Sequence, residues 1–364
     1  MNPSKTILTL DAGGTNFVFS AMQNKQEIVE PIRLPSEAHD LEKCLDNLIK
    51  GFKEVQSKID HKPDAISFAF PGPADYPNGI IGNLPNFKAF NGGVAMGPML
   101  EEVFGVPVFI NNDGDLFAYG EALAGRLPEI NQSLEEGGSP KTFKHLLGLT
   151  IGTGFGAGIV IDQALLTGDN SCGAGIHATI NPFNHAWNAE ESVSTRAIQR
   201  EYAIEAGLEF NEKLMPGDIY KIAKGEQKGD QQAAVYSFEQ FGAALGFSIT
   251  NASTLIDGLV VIGGGLAGGW DLFAPSMFKA LQTKFKHPNG DESERLSCKV
   301  FNLENEAEAQ EFISGNPQET IIPRTNKTVI YDDSQRIGIG RSKLGASKAI
   351  SLGAYAFAVQ KLNK

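Results

Sequence analysis

"TLDAGGTNFVFS", residues 9–20, decides how the rest of the chain is read. An apolar run, Thr6 to Leu10, meets Asp11, then Gly13-Gly14-Thr15, then a second apolar run from Phe17 to Met22. Strand, glycine turn, strand is a hairpin pattern. In one hairpin, glycines need do no more than close the turn. The stretch "HLLGLTIGTGFGAGIVID", residues 145–162, repeats the pattern around Gly152-Thr153-Gly154. Two such turns predict two nests of backbone amides, where glycine lets a phosphate come close. Thr15 and Thr153 add hydroxyl donors, and the Asp11 carboxylate suits a hydrated Mg²⁺, a cation that prefers oxygen ligands.

The chain of 364 residues is long for one domain, which predicts two lobes. Its formal net charge of -12 argues against nucleic acid or an anionic membrane as partner, since those need clustered Lys and Arg. A small phosphate ligand held by backbone amides remains compatible. The cysteines, Cys44, Cys172 and Cys298, form no CxxC pair, so neither a disulfide framework nor a zinc site is expected, and the cytoplasm is the expected compartment. No secretion signal and no bilayer-length apolar run is present, and only five residues precede Thr6, so no helix-turn-helix is expected there.

Along the chain, Leu41, Leu45, Leu48 and Phe52 fall at helical intervals and predict a helix over residues 40–57. "AISFAFPGP" reads as a buried strand ending in a Pro-Gly-Pro turn, and Met99 to Phe104 as a short helix. "VPVFINNDGD" reads as a strand ending in a polar cluster, continued as a helix, "DLFAYGEALAG". Residues Leu127 to Thr142 are polar and read as a surface loop. Residues 194–206 and 230–255 read as helices, "GLVVIGGGLAGG" as strand and glycine turn, and Ala346 to Leu362 as a closing helix. Strands alternating with helices imply an α/β fold, and the doubled hairpin implies two similar lobes.

Asp113 in "INNDGD" stands where a strand gives way to a helix, a common address for chemistry in α/β proteins. There it can accept a proton from a hydroxyl attacking a γ-phosphate, with Asn112 orienting that hydroxyl. Asp115 is then expected to cap the helix. "GGGLAG", with Gly263, Gly264 and Gly265, matches a dinucleotide fingerprint, but it sits late in the chain and no acidic residue follows at the required distance. A turn facing an adenosine or a phosphate fits it equally well.

The ordered set "LDAGGTN", "FPGP", "GNLPNF", "INNDGD…GEALAG", "IGTGFGAGIV", "VVIGGGLA" and "SLGAYAFAV" resembles the ROK family of sugar kinases and regulators. That family lies within the actin/hexokinase/Hsp70 superfamily of nucleotide clamps. The resemblance implies two ribonuclease H-like lobes, the actin-like ATPase fold, with a cleft between them. It implies ATP and Mg²⁺ in that cleft, with Asp11 to Thr15 and Gly152 to Gly154 around the phosphates and Gly263 to Gly265 near the adenosine. Asp113 matches the catalytic base. Asn86, Asn112, His177 and Glu190 match sugar contacts.

The expected small lobe is residues 1–111 with 349–364, and the expected large lobe residues 112–348, with 287–341 as a polar insertion. Two departures stand out. Ala174 replaces the family's glutamate before the histidine, and the stretch "ATINPFNHAWNAEE" lacks the family's cysteine-rich zinc motif, so Trp187 is expected to hold that loop by packing. The reading is an ATP- and Mg²⁺-dependent kinase of a hexose or hexose derivative, glucokinase- or fructokinase-like and expected to be a homodimer. A non-catalytic sugar sensor and a dinucleotide-dependent oxidoreductase are its rivals.

Overall fold

The structure is a computed structural model that describes residues 4–82, 84 and 89–363. The first glycine hairpin is real: β1 (Thr6–Ala12) runs antiparallel to β2 (Asn16–Gln23), with Asp11 opposite Val18. The short strands β3 (Gln26–Glu27) and β4 (Ile32–Pro35) pair with β2. Helix α1 (Leu41–Gln56) then returns the chain to β5 (Ala65–Ala69), parallel to β1. It starts where the Asp40 carboxylate accepts from Lys43 N–H, and buries Cys44, Leu48, Phe52 and Val55 from one face. After the small ladder β6 (Ala74–Asp75) and β7 (Ile80–Ile81), α2 (Met96–Phe104) leads to β8 (Val108–Asn111), parallel to β5. The sheet order is β3-β2-β1-β5-β8.

Two helices follow, α3 (Asp113–Ala124) and α4 (Arg126–Glu136). Helix α4 overturns the surface loop expected over Leu127 to Thr142. Leu127, Ile130 and Leu134, spaced at three and four residues, bury one side, and the polar residues between them face outward. The apolar stripe was too narrow to stand out among polar neighbours.

The second hairpin, β9 (Leu146–Ile151) against β10 (Phe155–Ile161) with β11 (Ala164–Leu165) beside it, repeats the first. Helices α5 (Thr195–Glu205), α6 (Pro216–Ala223) and α7 (Gln231–Ile256) precede β12 (Leu259–Gly263), which is parallel to β9. Next come α8 (Trp270–Leu281), the hairpin β13 (Lys284–Lys286) with β14 (Glu292–Glu294), β15 (Lys299–Asn302) and α9 (Glu306–Ser314). A second hairpin, β16 (Pro317–Ile321) with β17 (Thr328–Asp332), precedes β18 (Arg336–Arg341) and α10 (Ala346–Leu362).

The second sheet has the order β11-β10-β9-β12-β18-β15. Residues 287–341 are therefore not one polar insertion. Strands β15 and β18 are parallel members of the main sheet, with Ile337 and Ile339 buried, and the two hairpins and α9 stand outside it. The alternation in "RIGIGR" was short, and the flanking polar residues masked it.

Each sheet thus carries an antiparallel hairpin followed by parallel strands, the same arrangement twice. Helices α3 and α10 lie packed together between them. A Cβ at Gly120 or Gly353 would run into the other helix's backbone, so glycine is what lets them approach. Leu352, Tyr355 and Ala358 of α10 pack with Ile7, Met22 and Ala65 of the first sheet, while Ala349, Ala354 and Phe357 pack with α3 and the second. Among the described residues, no helix is long and apolar enough to cross a membrane.

Candidate active site

A cleft of 880 Å³ opens where β8 passes into α3 and faces the second glycine turn. Asn112, Asp113, Gly152, Thr153, Gly154, His177 and Glu190 all border it, as the sequence predicted for one site. Asn112, not Asp115, caps α3. Its Oδ1 accepts from Gly114 N–H at 2.8 Å, and Asp113 Oδ1 accepts from the same N–H at 2.8 Å. Asp113 keeps an exposed side chain at the cleft, whereas Asp115 is buried. Desolvation pushes the Asp113 carboxyl upward, although hydrogen bonding to Gly114 N–H opposes this. Asp115 is buried, with Oδ1 lacking a partner, and desolvation, then the neighbouring Asp113 charge, raises it to about 7. Asp115 belongs to the site and was missed because its helical position suggested a cap.

Tyr76 was also missed. Its hydroxyl donates to Phe70 O at 2.9 Å, and its backbone N–H donates to Ser171 Oγ, which ties the first lobe to the loop before His177. Burial raises the phenol. Glu190 is a wall of the second turn: its Oε2 accepts from Phe155 N–H at 2.9 Å, and a Cβ at Gly154 would meet that oxygen at 2.7 Å. The turn is closed from the other side by Thr195, whose N–H and hydroxyl both donate to Gly152 O.

The loop between His177 and Glu190 is pegged by Asn181, not by Trp187. Asn181 is fully buried, donates to Asn188 O and Ser192 Oγ, and accepts from Phe183 and Asn184 N–H. Trp187 is exposed and lies beneath the Arg200 guanidinium, 4.7 Å from its ring centroid. Cys172 is exposed and donates to Asn170 O. Among the described residues, no three His, Cys, Asp or Glu side chains gather as a metal would require. Ala174 holds a left-handed φ of 55° against the large-lobe core.

A second cavity, 430 Å³, adjoins the cleft through Gly264 and Gly265. Gly263, Arg341 and Lys343 also border it. Gly264 has φ 95°, and its Cβ would sit 2.3 Å from Ile151 O, so only glycine fits. The wall carrying the two cations is fixed by a buried network. Glu304 accepts from Arg341 N–H and Nε and from Arg126, and Glu121 accepts from Arg126 N–H and Ser342 Oγ. Lys343 pairs with Glu129. Burial raises the Glu121 carboxyl. Glu304 and Arg341 were hidden by the reading of 287–341 as an insertion.

Asp11 borders a third cavity, 530 Å³, with Ser347 and Lys348 of α10. Gly13, Gly14 and Thr15 border none of the three cavities, and Asn86 lies outside the described residues. The start of α10 joins all three spaces, with Ala346 on the first two and Ser347 on the second and third.

Two lobes of repeated topology, one glycine hairpin turn on the cleft between them, and an acidic strand end define the actin-like ATPase class of sugar-kinase folds. The ROK family model matches residues 7–302, and the chain belongs to that family. A glucokinase structure from Parabacteroides distasonis superposes with a TM-score of 0.90 at 49% identity, covering 99% of this chain and 98% of that one. A Thermotoga maritima glucokinase is 25% identical over 75% of this chain and 86% of its own, and a Photobacterium profundum N-acetyl-D-glucosamine kinase is 28% identical over 71% and 83%. A Thermus thermophilus ROK hexokinase, at 19% identity and TM-score 0.67 with 98% and 99% covered, shares the fold.

Proposed function

We propose that this chain is a hexose kinase that moves the γ-phosphoryl group of ATP to a sugar hydroxyl. The observation that carries the reading is Asp113, a carboxylate at the head of α3 that shares one cleft with the Gly152–Gly154 turn. Asp113 takes the proton of the attacking hydroxyl, and its raised affinity for protons makes turnover fail on the acid side before an ordinary aspartate would protonate. Asn112, His177 and Glu190 hold the sugar's other hydroxyls. Ala174 offers no acceptor at its position, which bears on which sugar is tolerated.

The residues suit a nucleotide. Gly152 on the cleft and Gly265, which shares the second cavity with Arg341 and Lys343, are glycines whose Cβ would meet nothing within 4 Å. The anionic phosphates fit backbone amides and fixed cations, and the adenosine fits the cavity at Gly263 to Gly265. Asp11, on the third cavity, would be the oxygen donor for Mg²⁺, and the ion would neutralise charge on the phosphates. No zinc site is proposed. The enzyme is proposed to work in the cytoplasm as a homodimer.

The test is a coupled ADP-release assay with Mg-ATP over glucose, fructose, mannose and their N-acetylhexosamine analogues. Turnover on one of them establishes the kinase and names its acceptor. Sugar binding without turnover on any would instead establish a sensor.

A further inference from the structure

A fourth cavity, 510 Å³, lies at the end of the second sheet remote from the cleft. Residues 141–145 lead into β9 there, Asp257 precedes β12, Cys298 precedes β15, and Arg336 opens β18. The cleft is met at Gly152, past the other end of β9. A strand of 6 residues, at about 3.3 Å each, sets the two spaces about 20 Å apart.

The lining is rich in donors. Lys141, Lys144, His145 and Arg336 border it, and Asp257 is the one carboxylate among its lining residues, in a chain of net charge -12. Asp332 holds Arg336, and Asp162 lies 3.8 Å from Lys144, but neither of these carboxylates borders the cavity. Lys141 donates to Ser334 O at 2.6 Å and holds no ion pair among the described residues, so its ammonium has donors to spare. Arg336 is 2% exposed and packs on the Phe312 ring, and its Nε has no hydrogen-bond partner among the described residues.

Ser253 of α7 is the sharpest sign. Ser248, Thr250 and Thr254 on that helix each donate the hydroxyl to the carbonyl four residues back. Ser253 borders the cavity, is buried, and its Oγ has no partner among the described residues. An unpaired buried hydroxyl costs stability, which a ligand seated here would recover.

We propose that this cavity is a second binding site, separate from the cleft, for a phosphate group, either free or esterified to a small molecule. Lys141 and Ser253 are its central donors, Lys144 adds charge from an exposed position, and Arg336 supplies buried positive charge. Phosphate oxygens accept from all of these donors and gain most from the charged ones. Asp257 opposes an anion, against three cations. The volume leaves room for an organic group beyond the phosphate.

Isothermal titration calorimetry of the full chain tests this, with inorganic phosphate and, separately, glucose 6-phosphate, at constant ionic strength set by chloride. Both should occupy a site that Lys141→Met weakens at least tenfold and Ser253→Ala about fivefold. Ser253→Ala removes a hydroxyl that pairs with no protein group, so its melting temperature should not fall. Arg341→Gln, beside the cleft, should leave that affinity unchanged, which separates this site from phosphate binding in the cleft. Equal affinity for the two ligands assigns the site to phosphate alone, and tighter binding of the ester assigns the remaining volume to its sugar. The proposal is overturned if neither ligand binds, if binding ignores both Lys141→Met and Ser253→Ala, or if Arg341→Gln causes the same loss.

Discussion

The two glycine hairpins share one sequence pattern and one topology, yet the structure uses them differently. The Gly152–Gly154 turn is built into the wall of the main cleft, braced by Glu190 through Phe155 N–H and by Thr195 through Gly152 O. Among the described residues, the Gly13–Gly14 turn is braced from β4's side, by Ser36, whose hydroxyl donates to Gly14 O and whose N–H donates to Thr15 O. Within each turn the glycines also divide. Gly13 and Gly154 are needed by the fold, since a Cβ would strike Asn16 O at 2.9 Å or Glu190 Oε2 at 2.7 Å. Gly14 and Gly152 would strike nothing within 4 Å and keep an ordinary φ. The fold does not demand those two glycines, and of the two only Gly152 borders the cleft.

Gly152→Val sharpens this contrast most. It should fold with an unchanged melting temperature and raise the KM for ATP roughly 10²-fold, because a displaced phosphate loses its alignment. Steady-state kinetics beside thermal melting checks it; a loss of stability instead would make Gly152 structural. Gly14→Val should behave alike but more mildly, about tenfold, since that turn borders none of the cavities. An equal or larger effect would show that the first lobe closes over the nucleotide.

Asn181→Ala probes what holds the second lobe's sugar loop. Stripping four hydrogen bonds from a buried site should cost about 2 kcal/mol, read by denaturant unfolding, and raise the sugar KM more than the ATP KM. Trp187→Ala should do much less.

Asp115→Asn has the smallest expected effect on turnover and a distinctive pH signature. With its folded pKa raised from 3.8 to about 7, Asp115 binds its proton more tightly folded than unfolded, so it costs no stability below about pH 4. The cost grows as pH rises toward 7, to an upper bound of about 4 kcal/mol. The variant should therefore melt higher than wild type at pH 8 and equally at pH 4. Equal melting at both would show that Asp115 is not strained.

Much of this was legible in the sequence because hairpins, β8-to-α3 and the closing helix announce themselves through local rules. The helix expected at Ala346 to Leu362 occupies those same residues, and Asn112, Asp113, Gly152, His177 and Glu190 meet in one cleft. What escaped depended on tertiary context. Helix α4 buries only a narrow stripe, β18 is a six-residue strand whose neighbours β12 and β15 are remote in sequence, and Arg341 and Lys343 reach the cavity beside the cleft only because β18 enters the sheet. Asn181 looked like a loop polar residue, and its role appears only once its four partners are folded around it.

The central claim is that Asp113 performs proton abstraction in a site built by both lobes. The direct measurement is transfer of labelled γ-phosphate from ATP to the preferred sugar by wild type and Asp113→Asn, with sugar binding titrated in parallel. We predict a loss of roughly 10²–10⁴-fold in transfer with sugar affinity retained. Transfer by Asp113→Asn at the wild-type rate would contradict the account.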